Sequence, residues 1–311
     1  MFPGQGRCAW FDSGVWAQGR VVVVAVAVIG AAVVAGGAGA PRAWARAGGA
    51  GPGADVAVGH QLSAPGPGAP RLQAALAPAG PQAPQAPPAP RGIPTAVPFD
   101  GVPTTGALFA TMGGARHFCT AAVVRSTAGD LAITAAHCVD AGGFAASVEY
   151  VPGYHDGRRP YGTWAVREII VPAGWHRSHD PDLDFAFLVI GRADGPRIQA
   201  RTGGLTVGYS RSYRETIEAL GYNDGEGRPV RCLTRSFKFR TGQMEFYCHD
   251  FWAGTSGGPW ITGYRAGTGT GTVFGVIGGY EDGGDYDWAS YSPYFGHALR
   301  VLFAQAEKLA G

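Results

Sequence analysis

From Val97 to the C terminus, short apolar runs alternate with segments rich in Gly, Asp, Asn and Pro. The β-type runs include residues 107–112, 119–124, 185–190, 216–222 and 273–279. Many short strands separated by turn residues predict an all-β protein built as a sandwich or a barrel. Near the end the apolar positions change to helical spacing, which predicts a C-terminal helix containing Leu299, Leu302 and Ala306.

The first 45 residues have the pattern of an export signal. Residues 21–34 are an almost continuous apolar run preceded by Arg7 and Arg20. A bilayer span needs about 20 apolar residues, and this run is nearer in length to the core of a signal peptide. We therefore expect residues 1–45 to be a signal peptide that contacts the membrane only transiently. An uncleaved anchor is the alternative, because weakly apolar Ala and Gly residues extend the run to Ala40.

Residues 46–96 are rich in Pro, Ala and Gly and have almost no apolar periodicity, as residues 81–90 show. Such a composition buries too little apolar surface to offset the entropy lost on ordering the chain. We predict that residues 46–96 are a disordered or extended linker, or a short pro-segment. The folded domain is then expected to comprise residues 97–311.

The composition limits the partners of this protein. The chain has 311 residues, of which 46% are hydrophobic, enough for one large or two small cores. Its net charge is only +2, so nothing indicates a nucleic-acid partner. Basic residues cluster at 231–240, but aromatic residues alternate with them, which is typical of a strand with one solvated face.

The cysteines support export to an oxidising compartment. Cys8 precedes the apolar run and would be removed with the signal, which leaves Cys119, Cys138, Cys232 and Cys248. An even number of cysteines in an exported chain indicates disulfides, and four cysteines allow three pairings. A zinc site is the alternative, but the four residues contain no C-x-x-C pair.

Two widely separated segments carry the chemistry of nucleophilic catalysis. The motif Thr-Ala-Ala-His-Cys places His137 beside a cysteine, and the motif Gly-Thr-Ser-Gly-Gly-Pro places Ser256 in a glycine-rich turn. A serine hydroxyl is a poor nucleophile at neutral pH. It needs a nearby base, a group that orients the base, and amide donors for the oxyanion that forms. The alternative roles are a buried structural histidine and an ordinary Gly-Ser turn.

Asp184 is the predicted orienting group. Asp180 and Asp182 lie in the same loop and compete for this role. Only Asp184 is followed directly by the apolar run at 185–190, which places it at the edge of the predicted sheet.

These motifs resemble those of the chymotrypsin-like (trypsin-fold) serine peptidases, and the short loops resemble the secreted bacterial branch of that family. The resemblance covers about residues 97–311. It implies an all-β fold of two six-stranded antiparallel β-barrels, about 97–197 and about 198–311, with a crossover near 193–204. It also implies that the C-terminal helix packs on the second barrel.

The resemblance gives each residue a role. His137 takes the proton of Ser256 and later delivers it to the leaving amine, while Asp184 holds the imidazole in the required tautomer. The backbone N–H groups of Gly254 and Ser256 bind the oxyanion. The implied disulfides are Cys119–Cys138 and Cys232–Cys248.

Thr255 departs from the family pattern. Trypsin and its relatives have an aspartate immediately before the serine, and that aspartate pairs with a new N terminus released by cleavage. Thr255 cannot pair with an ammonium group. The oxyanion hole is therefore expected to be preformed by the local turn and its hydrogen bonds.

The sequence does not settle which residues form the substrate pocket. Asp250 lies six positions before Ser256, where trypsin-type enzymes have an aspartate that selects Arg or Lys. However, Cys248 is closer to the serine than the corresponding family cysteine, so the alignment of this loop is not settled. The other pocket wall is predicted to contain Gly278, Gly279 and Tyr280. A cluster of acidic residues follows, namely Glu281, Asp282, Asp285 and Asp287. These side chains could attract basic substrate side chains, bind calcium or merely keep a loop solvated.

These observations predict a secreted serine endopeptidase that acts as a monomer on protein or peptide substrates, without a cofactor or a metal ion. A catalytically silent binding module of the same fold is one alternative. A peptidase tethered to the cell surface, with the Pro/Ala-rich segment as its stalk, is the other.

Overall fold

The computed structural model describes residues 56–61, 87–191 and 195–311. The strands in these ranges are β1 (Val56–His60), β2 (Val97–Pro98), β3 (Thr105–Met112), β4 (Ala115–Val124), β5 (Leu131–Thr134), β6 (Ser147–Pro152), β7 (Trp164–Pro172), β8 (Ala186–Ile190), β9 (Thr206–Val207), β10 (Thr216–Gly221), β11 (Val230–Arg240), β12 (Gln243–Tyr247), β13 (Pro259–Arg265), β14 (Thr270–Val276) and β15 (Ala289–Pro293). The α-helices are α1 (Ala173–Ser178), α2 (Ile198–Thr202) and α3 (His297–Ala310), and two 3₁₀ turns span Pro181–Leu183 and Tyr280–Gly283.

The first half of the domain is a closed antiparallel barrel. Its strands follow the order β7-β6-β3-β4-β5-β8, and β8 pairs again with β7 to close the ring. The strands carry Val, Ile, Leu and Ala side chains that are almost completely buried, as in β5 and β8. Closure leaves β5 and β8 side by side, so the residues after β5 and before β8 meet at one rim of the barrel.

The second half is a sheet whose six longer strands follow the order β15-β12-β11-β10-β13-β14. The short strand β9 adds to β14, and β2 adds to β11. A hydrogen bond of 3.0 Å from the Gly278 N–H to the Tyr291 carbonyl links the two ends of this sheet. The two halves and the C-terminal helix confirm the predicted chymotrypsin-like fold, except that β2 joins the second half although Val97 was assigned to the first.

Helix α3 occurs where the apolar spacing predicts it, but it packs differently from the expectation. Its buried face joins a core cluster with side chains of β5, β7 and β8 of the first barrel. The Phe303 ring lies 5.2 Å from that of Phe187, and the Thr127 N–H donates to Glu307. The helix returns to the first barrel because its apolar face matches the outer apolar face of those strands.

The linker prediction is wrong at residues 56–60. These residues form β1, which pairs antiparallel with β7 from Glu168 to Pro172. Val56 and Val58 pack against the core cluster that contains α3, and the Gln61 side chain donates to the Ala145 carbonyl at 2.7 Å. β6 pairs with β7 only at Trp164 and Ala165, so the later part of β7 has an edge left for β1. This partner lies more than a hundred positions away in the chain, which local composition does not reveal.

Within the described ranges, no helix is both long and apolar enough to cross a membrane. The predicted signal peptide at 1–45 lies outside the described residues.

Candidate active site

His137 and Asp184 meet at the rim of the first barrel. His137 lies in the tight turn after β5, and the Cys119–Cys138 disulfide fastens this turn to β4. Asp184 lies between the 3₁₀ turn at Pro181–Leu183 and β8. The His137 Nδ1 atom is 2.8 Å from Asp184 Oδ2, and the His137 backbone N–H donates to Asp184 Oδ1 at 2.9 Å. The carboxylate therefore fixes both the ring and the backbone of the histidine.

The two groups shift each other's protonation. Burial alone lowers the pKa of His137, but the charge of Asp184, its hydrogen bond and the charge of Asp282 outweigh burial, so the pKa is raised. Burial raises the pKa of Asp184, but His137 and a 2.7 Å hydrogen bond from the Gly279 N–H lower it below the ordinary value. Although Asp184 is completely buried, these contacts hold it as a carboxylate.

Neither competing aspartate takes the position of Asp184. Asp180 caps the 3₁₀ turn by accepting a hydrogen bond from the Asp182 N–H at 3.0 Å. Asp182 accepts from the amide of Gln243 at 2.8 Å and faces Arg240 at 3.6 Å. The apolar run after Asp184 was the correct signal, because β8 delivers its first residues to the same rim as the end of β5.

The serine turn packs directly against the first barrel. The Thr120 N–H donates to the Ser256 carbonyl at 2.8 Å. Gly257 has a φ of +80°, and a Cβ atom there would overlap the Thr120 carbonyl and the Thr134 hydroxyl. Only glycine allows this close approach, which brings the partly exposed Ser256 next to the turn that carries His137.

Two backbone amides at the Ser256 turn are unpaired in the part of the chain that the structure describes. Among the described residues, the backbone N–H groups of Gly254 and Ser256 have no hydrogen-bond partner. The neighbouring amides are paired: that of Thr255 donates to the Trp252 carbonyl and that of Gly257 to the Ile277 carbonyl. The free donors are therefore the two predicted for the oxyanion.

Two threonines hold the serine turn. Thr255 is buried, and its hydroxyl donates to the Trp252 carbonyl at 2.8 Å. Thr120 is also buried; its hydroxyl donates to the Gly254 carbonyl at 3.0 Å and accepts from the Tyr222 N–H at 2.9 Å. Sequence reasoning missed Thr120, because it lies inside an ordinary apolar strand and its partners are distant in the chain.

Two cavities adjoin these groups. The serine cavity, of about 80 Å³, is lined by Trp252, Thr255, Ser256, Asp282, Asp285 and Asp287, among others. The histidine cavity, of about 480 Å³, is lined by His137, Trp175, His179, Glu281 and Asp282, among others. Asp282 lies on the wall of both cavities, which places the acidic loop at the junction between histidine and serine.

None of the four residues predicted for the substrate pocket lines the serine cavity, although Gly279 lines the histidine cavity. Asp250 has a φ of +70°, its N–H donates to Asp287 and its carbonyl accepts from Asn223. Asp287 lines the serine cavity, whereas Asp250 does not. Gly278 packs against the Asp184 carboxylate and Gly279 donates to it.

Tyr280, the last residue of this predicted wall, packs against Tyr291 with the ring centroids 5.1 Å apart.

Both expected disulfides are present, Cys119–Cys138 and Cys232–Cys248. In the described part of the chain, His137, Asp184 and Asp282 each offer a ligand atom, and these atoms lie within 4.8 Å of one another. His137 Nδ1 and Asp184 already satisfy each other. Two of the three groups that could hold a metal ion are therefore already hydrogen-bonded to each other.

No protein-family model matches the chain, and no curated protein matches it. Solved structures do. Protease Anisep from Arthrobacter nicotinovorans is 23% identical with a TM-score of 0.62, covering 68% of this chain and 98% of that one. The thermostable serine protease AL20 from an extremophilic microorganism is 24% identical with a TM-score of 0.61, covering 66% and 97%. A Glu endopeptidase is 19% identical with a TM-score of 0.56, covering 70% and 98%. The described domain thus shares the fold of these proteases.

Proposed function

We propose that the protein is a serine endopeptidase that hydrolyses peptide bonds through an acyl-enzyme. The observation that carries the proposal is the His137–Asp184 pair on one cavity and, on a second cavity that shares the Asp282 wall, a partly exposed Ser256 with two amides, at residues 254 and 256, that are unpaired within the described chain. The fold shared with serine proteases supports it.

Each group has a defined task in this mechanism. His137 removes the proton from the Ser256 hydroxyl as the oxygen attacks the scissile carbonyl, and then protonates the leaving amine. Asp184 holds Nδ1–H and stabilises the imidazolium. The N–H groups of Gly254 and Ser256 bind the oxyanion. A water molecule then enters, and the same groups release the acid product.

The serine cavity favours a cationic substrate side chain. Its charged wall residues are all acidic, namely Asp282, Asp285 and Asp287, and Asp287 Oδ2 lies 3.2 Å from His249 Nδ1. Ser290 on the same wall is almost completely buried, and within the described ranges its hydroxyl makes no hydrogen bond. We infer a preference for Lys or Arg before the scissile bond. The glutamate preference that one structural neighbour's name states is not expected, because its carboxylate would meet like charges.

We also infer that the protein is exported. Both disulfides are formed, and disulfides persist in oxidising compartments. The apolar run at 21–34 supports a signal peptide. The mass and N-terminal sequence of the native protein, recovered from medium and from cells, distinguish a cleaved signal from a tether.

Substitution of the serine tests the function. Ser256→Ala is expected to lower kcat/KM by about 10⁴-fold or more and to abolish labelling by a fluorophosphonate probe. Ser290→Ala is the matched control, since it removes a second hydroxyl from the same cavity and should leave labelling intact. A peptide-library profile of the wild-type protein then measures the residue preference. No labelling of the wild-type protein would reduce it to a silent binding module, and equal labelling of both variants would refute Ser256 as the nucleophile.

A further inference from the structure

A second carboxylate lies beside the histidine. A carboxylate oxygen of Asp282, a ring nitrogen of His137 and a carboxylate oxygen of Asp184 all lie within 4.8 Å of one another. Asp282 also lines both the histidine cavity and the serine cavity. Two chain segments therefore bring a carboxylate close to the imidazole, one carrying Asp184 and the other carrying Asp282.

The loop that carries Asp282 has an unusual backbone. Glu281 and Asp282 have φ values of +51° and +50°, and the flanking Gly279 and Gly283 have +84° and +111°. Consecutive left-handed residues other than glycine are costly, and they persist only where the surroundings enforce them, often at functional sites.

The surroundings that enforce this loop are part of the candidate site. The Gly279 N–H donates to Asp184 at 2.7 Å, and the Tyr280 N–H donates to the buried Gln243 at 3.2 Å. Gln243 also donates to the Pro181 carbonyl at 2.8 Å, just before Asp184. The loop and the Asp184 segment are therefore fastened to the same side chain, which holds Asp282 at a fixed place relative to the imidazole.

Other charged groups near His137 are few in the described structure. Asp184 bonds to Nδ1, while Glu281 and His179 line the histidine cavity. Asp140, on the same turn as His137, faces away and bonds to His176 at 2.8 Å.

We propose that Asp282 is a positioning residue of the proposed peptidase: its carboxylate acts on His137 alongside that of Asp184 and sets the pH above which the histidine becomes a base. The inference rests on the proposed function. Asp282 is exposed, so salt screens its effect, whereas the buried Asp184 is shielded from salt.

The expected effect follows from the sign of the charge. A negative charge favours the imidazolium, which cannot accept the serine proton, so Asp282 moves the acidic limb of the pH–activity profile to higher pH. Coulomb's law at 4.8 Å in water corresponds to about half a pH unit. On the acidic limb, loss of this charge should raise kcat/KM about threefold.

Asp282→Asn tests the inference, because asparagine also tolerates a left-handed backbone. The kcat/KM of the full chain is measured against pH with a peptide that carries no charge near its scissile bond. The acidic limb of Asp282→Asn should move down by about half a unit, Asp282→Glu should stay near the wild type, and molar sodium chloride should shrink the difference. Asp156→Asn is the matched control, since Asp156 is also an exposed aspartate with a left-handed φ of +48° and lies outside the His137 group and both cavities.

The imidazole can also be followed without turnover. NMR titration of His137 in the Ser256→Ala background should show the same downward shift for Asp282→Asn. If the titration shifts but no peptidase is found, the electrostatic inference stands and the proposed function fails. If His137 titrates identically with and without the Asp282→Asn substitution, or if Asp156→Asn shifts it equally, the role of Asp282 is overturned.

Discussion

A single methyl group at Gly254 tests whether the unpaired amides around Ser256 form a working oxyanion hole. Gly254 has a φ of +98°, and a Cβ atom there would lie 2.7 Å from both the Asp224 nitrogen and the Tyr222 carbonyl oxygen, and 2.8 Å from a ring carbon of Phe118. Cβ atoms do not occupy such positions, so Gly254→Ala must displace part of the structure.

The 254–256 turn is the part that is expected to move. The Asp224 N–H is bonded to the Ala253 carbonyl at 2.7 Å and the Tyr222 N–H to the Thr120 hydroxyl at 2.9 Å, so this wall is well held. Rotation of the turn redirects the N–H of residue 254. Loss of one oxyanion donor costs about 10²–10³ in kcat, and the strained backbone adds about 1–2 kcal/mol of instability.

The assay separates catalysis from strain. We expect Gly254→Ala to lower kcat by about 10²–10³ with little change in KM, as measured on the best peptide from the library. Gly263→Ala is the matched control, since Gly263 has a φ of +61° and nothing lies within 4 Å of the added Cβ. It should lose about 1–2 kcal/mol in urea unfolding and keep its kcat. The reasoning is refuted if Gly254→Ala retains kcat within about threefold, or if Gly263→Ala loses as much.

Two further predictions concern contacts that only the structure shows. Gly59→Ala places its Cβ on the Phe144 ring and should destabilise the full chain by about 1–3 kcal/mol. Phe144→Ala should relieve this loss, and Gly267→Ala, where nothing lies near the added Cβ, should be neutral. An unchanged urea midpoint for Gly59→Ala would show that β1 is not docked in solution. Thr120→Val removes the hydroxyl that pairs with Gly254 and Tyr222. It should lower the free energy of unfolding by about 2–4 kcal/mol, because two buried groups are left unpaired. Thr268→Val, at an exposed turn, is the control, and a smaller loss of stability in thermal unfolding for Thr120→Val than for this control would contradict the bridging role.

Local sequence determined the elements and the reactive side chains. Short apolar runs bounded by turn residues, such as 107–112 and 185–190, became β3 and β8, because a strand such as β8 that is buried on both faces needs apolar side chains at every position. Asp184 could be chosen over its neighbours because it precedes a buried strand directly. Glycines at 254 and 257 marked the serine turn, since their left-handed backbone and lack of a Cβ are local requirements.

Contacts between distant segments were decided by the tertiary structure alone. β1 was hidden in a Pro/Ala/Gly-rich segment, since its stability comes from the edge of β7 and not from its own composition. The packing of α3 on the first barrel depends on which apolar face is left uncovered, and helical spacing is silent on that choice.

The same division holds within the candidate site. The sequence identified a histidine, an aspartate and a serine by their neighbours, and it marked an acidic loop without saying where that loop would lie. Only the folded chain places Asp282 within 4.8 Å of His137 and Asp184 and moves Asp250 away from the serine cavity. Electrostatic coupling depends on distance through space, and that distance is set by the sum of all the packing between segments far apart in the chain.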